Sequence, residues 1–149
     1  MSLNETLLAH MKVAMKERES GKLKVSVIRL LRAAIQNEEI DKRHELSEEE
    51  MLEVIAREVK KRKEVIPDYQ RAGRDAMVQQ LTEEVEILQN YLPDQMTEDE
   101  IRSLISGIIS ETEAKGPNDM GKIMKLVIPK TKGRADGKMV SSLVKQMLE

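Results

Sequence analysis

Thr97-Glu98-Asp99-Glu100-Ile101-Arg102-Ser103-Leu104-Ile105-Ser106-Gly107-Ile108-Ile109 carries two signals together. Thr97 followed three residues later by Glu100 is a capping box: the hydroxyl takes one orphan amide of a new helix and the carboxylate reaches back to another. Ile101, Leu104, Ile105, Ile108 and Ile109 then recur at steps of 0, 3, 4, 7 and 8, the apolar stripe of a helix with 3.6 residues per turn. The stripe repeats in Met120, Ile123, Met124, Val127 and Ile128, and again in Val140, Leu143, Val144, Met147 and Leu148. Lys115-Gly116-Pro117 separates the first pair, and a loop from Pro129 to Gly137 separates the second. Three short helices with matching stripes can bury one another, so residues 94–149 read as a small three-helix domain.

The same reading extends upstream. Ser2-Leu3-Asn4-Glu5 is a capping box that opens a helix with Leu3, Leu7, Leu8, Met11 and Met15 on one face, ending near Ser20-Gly21. The second helix carries Val27, Leu30, Leu31, Ala34 and Ile35, widened by Val25 and Ile28, and stops before the charged turn at Asp41-Lys42-Arg43-His44. Ser47 to Glu50 is a further capping box, followed by Met51, Leu52, Ile55 and Val59. Gly73 can supply the left-handed end of that helix. Pro67 removes a hydrogen bond and clashes with the preceding turn, so a kink or short break is expected near Ile66. A fourth helix from Asp75 places Val78, Leu81, Val85, Leu88 and Leu92 in steps of three and four and stops at Leu92-Pro93-Asp94. Residues 1–93 therefore read as an antiparallel four-helix domain, and the whole chain as all-α.

Composition agrees. In 149 residues, 40% hydrophobic and 35% charged, there is no Cys, Trp or Phe, and ten Met fill part of the core. Strands draw on aromatic and β-branched residues, whereas Met suits irregular gaps between helices. Without thiols there is no disulfide, thiolate zinc site or Cys nucleophile. No cofactor is implied. The start has no basic region before an apolar run and no apolar run reaches about 18 residues, so a cytoplasmic location without membrane insertion is expected.

The net charge of −2 conceals an uneven distribution. Residues 94–114 hold one base and six acids, and residues 115–149 hold eight bases and three acids. Between Lys122 and Lys138 the bases are Lys122, Lys125, Lys130, Lys132, Arg134 and Lys138, opposed only by Asp136. On a helical wheel Lys122 lies opposite the apolar stripe and Lys125 beside it, so both project outward and continue into the basic loop. A solvated polar face is one reading of such a run. A polyanion site is the other: Gly133 and Gly137 would let backbone amides approach phosphate, and the N-terminus of the last helix adds partial positive charge. Lys60-Lys61-Arg62-Lys63 covers every side of a helix among glutamates and reads as an ion-paired surface. Arg29 and Arg32 flank the apolar second helix, with buried-edge ion pairing and ligand contact as their two uses.

Other motifs fail on physical grounds. Gly116 to Lys122 has the spacing of a phosphate-binding P-loop, but Ile123 replaces the magnesium-holding hydroxyl and no strand precedes it. Asn118 or Asp119 reads instead as an N-cap and Gly121 as a small residue that permits close approach of a neighbouring helix or a nucleic-acid backbone. His10 and His44 have no second ligand at recognisable spacing. The helical serines have no adjacent base, and Glu48/Glu49 and Glu83/Glu84 diverge as sequence neighbours on a helix. Tyr69 and Tyr91 are too few for base stacking, so an RNA partner would be held through phosphates and shape.

The chain also resembles the YqeY-like family, whose members look like a free-standing C-terminal tail of GatB, the tRNA-binding subunit of the bacterial Asp/Glu-tRNA amidotransferase. Asp119-Met120-Gly121-Lys122-Ile123-Met124 followed by Gly133-Arg134-Ala135-Asp136-Gly137 carries the resemblance most specifically, with Leu23 to Leu31 and Tyr91-Leu92-Pro93 in the N-terminal part. The resemblance implies a two-part helical fold and a role near tRNA. It also implies an association with glutamine-dependent carbon–nitrogen ligase activity, for which no performing residues are evident. The expected function is a non-catalytic tRNA-binding module using Lys122, Lys125, Lys130, Lys132, Gly133, Arg134 and Lys138. The alternative is an adaptor for an aminoacyl-tRNA synthetase or amidotransferase subunit, with the Met-rich C-terminal stripe partly exposed.

Overall fold

The structure, a computed structural model, describes residues 2–149. Among the described residues there is no strand, and seven α-helices follow in order: α1 (Leu3–Lys16), α2 (Lys22–Lys42), α3 (Glu48–Arg71), α4 (Asp75–Gln89), α5 (Glu98–Thr112), α6 (Met120–Thr131) and α7 (Gly137–Leu148). The fold is all-α. The chain divides into two compact units, residues 1–92 and 93–149.

Local rules account for the helix ends. At Ser2 and Ser47 both halves of the capping box are made, with Glu5 and Glu50 as the returning carboxylates. Thr97 accepts from the Glu100 amide. At the end of α3, Gly73 lies at φ +70°, the Arg74 amide donates to the Tyr69 carbonyl and the Gly73 amide to that of Gln70. This pair of bonds closes the last carbonyls, and it needs the left-handed residue that glycine supplies.

In the first unit the core is Leu7, Val27, Ile28, Leu31, Ile35, Leu46, Met51, Val54, Ile55, Val59, Val85 and Leu88. Two stripe assignments change. Leu30 and Met15 face solvent, while Ile28 and Ala14 are buried. Helix α2 packs against α1, α3 and α4, so its buried arc is set by three neighbours and rotates away from Leu30. Ala14 is buried because the chain turns tightly after α1 through a 3-10 segment, Arg18–Gly21. A Cβ on Gly21 would lie 2.0 Å from the Ala14 carbonyl oxygen, so only glycine permits this crossing.

Of the kink or short break expected near Ile66, the break does not occur: helix α3 is continuous through Pro67. Pro67 and Lys63, whose carbonyl loses its amide partner, are both exposed, so water can satisfy the orphan oxygen. Helix α3 packs along α4. Between these helices Arg62 Nε donates to Glu84 Oε1 at 3.1 Å, and Gln80 donates to the other oxygen at 3.2 Å. Arg62 also reaches the Glu58 carboxylate and carbonyl. Lys61 pairs with Glu58 at the surface, as the sequence indicates for the 60–63 run, while Arg62 turns inward and Lys63 is exposed without an ion pair among the described residues. Removing Arg62 would leave the buried Glu84 carboxylate with Gln80 alone, whereas Arg62 would keep Glu58 if Glu84 were lost, so the pair constrains the register of α3 and α4 mainly through Glu84.

In the second unit Ile101, Ile105, Ile108, Ile123, Val127, Val140, Leu143, Val144 and Leu148 form the core, with Met96, Met120, Met124 and Met147 half-buried around it. Ile128, assigned to the stripe, is exposed. Its place inside is taken by Thr131, whose hydroxyl donates to the Val127 carbonyl at 3.1 Å. Helix α6 thus continues past Pro129, and Lys130 and Thr131 are helical, not part of the loop.

Candidate nucleic-acid interface

The basic residues between 122 and 138 occupy the outward side of α6, the turn after it and the start of α7. Ile123, Val127 and Thr131 point inward. Lys122 and Lys125 therefore project from the opposite face, Lys130 lies at its flank near the end of the helix, and all three are exposed. Leu126, 45% exposed, lies among them. None of the three forms an ion pair among the described residues. Lys132 and Lys138 are exposed on the turn and on α7.

The turn itself is tightly built. The Lys132 amide donates to the Ile128 carbonyl, and the Arg134 and Ala135 amides both donate to that of Thr131. Gly133 sits at φ +75°, a left-handed position that other residues rarely adopt. Asp136 caps α7 by accepting from the Lys138 amide. Residues 94–96 tie down the other side: the Gln95 amide group donates to the Gly133 carbonyl, Met96 donates to the Arg134 carbonyl, and Arg134 Nε donates to the Asp94 carbonyl.

This geometry changes two expectations. The amides of Lys132, Arg134, Ala135 and Lys138 are already spent inside the turn, so these four are not open to phosphate, and the left-handed Gly133 gives the turn its shape. The N-terminus of α7 carries a carboxylate of its own, that of Asp136. Arg134 is half-buried and anchored, which makes it part of the scaffold as well as of the charge. What remains presented is side-chain ammonium groups on a rigid frame. The tether from residues 94–96 left no local sequence signal, because its partners are 38 and 40 positions apart.

One further expectation is corrected, and another holds in position alone. Gly121 does not admit a neighbouring helix: a Cβ there would meet nothing within 4 Å. Asp119 occupies the N-cap position of α6, but its carboxylate accepts from the Lys115 amide across the Gly116-Pro117 turn and makes no cap bond to α6. In the first unit Arg29 and Arg32 are exposed and form no ion pair among the described residues, so buried-edge pairing is not their use.

The histidines and tyrosines are engaged locally. Tyr91 Oη sits 2.6 Å from His10 Nδ1, with the rings tilted, and burial raises the phenol above its ordinary pKa. His44 Nδ1 contacts the Glu45 carbonyl at 2.8 Å. The Arg74 guanidinium stacks over Tyr69, 5.6 Å from the ring centre. No cluster of three His, Cys, Asp or Glu side chains placed to hold a metal ion occurs among the described residues. None of their helices is long and apolar enough to cross a membrane.

Among curated proteins, the chain is similar to a Glutamyl-tRNA(Gln) amidotransferase subunit of Thermococcus gammatolerans, 36% identical over 58 residues. The match covers 36% of this chain and 9% of that protein, so it speaks for one segment of a much longer molecule. A family model described as Yqey-like protein matches residues 4–148, nearly the whole length, and on that match the chain belongs to the Yqey-like protein family.

Proposed function

We propose that the chain is a tRNA-binding module without chemistry of its own, assisting tRNA-dependent amidation or aminoacylation carried out by other proteins. Lys122 and Lys125 on the outward face of α6 and Lys130 at its flank, all exposed and outside any ion pair among the described residues, are the observation that carries this reading. Lys132, Arg134 and Lys138 continue the positive surface around the Gly133 turn. Phosphates spaced along a folded RNA are the natural partner for several ammonium groups on one rigid face. With both tyrosines occupied in the first unit, recognition rests on backbone and shape. The similarity to an amidotransferase subunit named for glutamyl-tRNA(Gln) supports a tRNA partner.

Titrating the protein with total tRNA at several salt concentrations tests the proposal. Affinity should fall with a log–log slope of about −0.7 to −0.9 for each phosphate neutralised. Replacing Lys122, Lys125 and Lys130 together by Ala should flatten that slope by about 2–3 and weaken binding at low salt. Equal binding and an equal slope in the triple variant would remove α6 from the interface.

A further inference from the structure

The first unit carries an open groove of about 570 Å³ where the turn after α1 meets the beginning of α2. Its floor is apolar, made by Met15, Val25 and Leu30, with Met15 and Leu30 50% and 54% exposed. Its rim is Arg18, Lys22 and Arg29, and no acidic residue lines it. None of these three cations forms an ion pair among the described residues. Lys22, Val25, Arg29 and Leu30 follow helical spacing on the side of α2 opposite buried Val27, Ile28 and Leu31. Large apolar side chains and unneutralised charge therefore share one outward face. The corner beneath it is fixed by the glycine-only crossing of Gly21 over Ala14 and holds Arg18 at φ +53°. A non-glycine residue occupies that left-handed region at a cost, so the surroundings hold it there.

We propose that this groove docks the apolar face of an acidic amphipathic helix from a partner protein. A helix laid in a groove presents residues at i, i+3, i+4 and i+7 to an apolar floor, and Asp or Glu at its flanks would meet Arg18, Lys22 and Arg29. Three like charges without counter-charge select an acidic partner and reject a basic one. The groove is too open to enclose a small molecule, which favours a macromolecular occupant. Phosphates would satisfy the cations but leave Met15 and Leu30 in water, and no aromatic side chain lines the groove to stack a base. The proposal concerns a different unit from the tRNA reading and stands or falls separately from it.

The test uses the full chain and three fluorescein-labelled synthetic peptides of about 18 residues, five helical turns. One places Leu on one face and Glu on its flanks, one has the same residues shuffled, and one has Lys for every Glu. The acidic amphipathic peptide should bind roughly tenfold or more tightly than either control, and Arg29→Glu and Leu30→Ser should each weaken it roughly fivefold. Both residues are exposed, so the core is untouched. Should a variant nevertheless melt early, peroxide oxidation of Met15 in the wild-type protein decides: protection by the acidic peptide supports the groove, and no protection overturns it. Equal binding of the three peptides, or binding indifferent to both substitutions, also overturns it. Loss of tRNA binding in Arg29→Glu with peptide binding unchanged would make the face an RNA surface. Self-association abolished by Leu30→Ser, without peptide binding, would assign it to a second copy of the chain. Either result sinks the proposal.

Discussion

Arg134 Nε donates to the Asp94 carbonyl oxygen at 3.0 Å, and the Met96 amide donates to the Arg134 carbonyl at 2.8 Å. One residue thus joins the basic turn to the segment that leads into α5. A cation used only for phosphate would have no reason to be held in this way. Arg134→Ala should destabilise the second unit by about 1 kcal/mol, less than the roughly 1.5–3 kcal/mol of a buried bond to a charged group because this one is only partly buried. Arg134→Lys should not restore it, since an ammonium cannot reproduce the fixed guanidinium fork. Lys130→Ala, which removes an exposed side chain, should stay within about 0.5 kcal/mol of wild type. Urea unfolding followed by helical circular dichroism compares them, and equal midpoints for Arg134→Ala and Lys130→Ala would refute the tether.

The contrast between Arg134 and its lysine neighbours also shows what a sequence can and cannot disclose. Periodicity located every helix and most of the core, because the stripe at 101–109 or 140–148 is a local property of consecutive residues. It went wrong at Leu30, Met15 and Ile128, where the number and direction of neighbouring helices decide which edge of the stripe is covered. Pro67 leaves α3 continuous for a related reason: its cost depends on whether the orphaned carbonyl is wet. The outward direction of Lys122 and Lys125 was legible as the complement of an apolar stripe. The spent amides of the turn were not, since they depend on Gln95 and Met96 folding back on residues almost forty positions away.

Two glycines that look alike in sequence should respond oppositely to alanine. Gly21 has an ordinary negative φ, so the obstacle to a side chain is purely steric, a Cβ 2.0 Å from a backbone oxygen that cannot move independently. Gly21→Ala should cost about 1–3 kcal/mol, as overpacking does, and should disturb the turn that presents Arg18. Gly121 lies in the first turn of α6, and a Cβ added there would have nothing within 4 Å. Gly121→Ala should stabilise by up to about 0.5–1 kcal/mol by limiting the unfolded chain and favouring the helix. Thermal melts of the two variants should move in opposite directions, and a gain for Gly21→Ala would contradict the close crossing.

Acid sensitivity has a named source in the capping box of α3. The Ser47 amide donates to Glu50 Oε1 at 3.1 Å, and Lys42 Nζ lies 3.0 Å from Oε2. These contacts, the amide first, lower the Glu50 carboxyl from 4.5 to about 2. The folded pKa lies below the unfolded one, so the contribution is present above about pH 4.5 and disappears as pH falls toward 2. Glu50→Gln retains an oxygen for the Ser47 amide but cannot titrate. The melting temperature of wild type should exceed that of Glu50→Gln at neutral pH, and the gap should close between pH 4.5 and 2. A constant gap across that window would mean that the carboxylate's charge is not what the box uses.

Asp136 offers the most direct separation of charge from scaffold. Its carboxylate accepts from the Lys138 amide and is the only acid between Lys122 and Lys138. Asn caps helices about as well as Asp, so Asp136→Asn should keep α7 intact while removing one negative charge from the basic face. At a separation of about 8 Å through water, that charge opposes a phosphate by roughly 0.5 kcal/mol, so tRNA affinity at low salt should rise roughly two- to threefold. The gain should shrink as salt rises, because a screened surface charge loses its reach. Asp136→Ala removes the same charge and the cap together, which should cost about 1 kcal/mol of stability. Filter binding at two salt concentrations, alongside melts of both variants, reads the two effects apart. If Asp136→Asn binds tRNA no more tightly than wild type at low salt while remaining equally stable, the field around the turn does not act on the RNA, and the basic face of α6 loses its claim to be the contact.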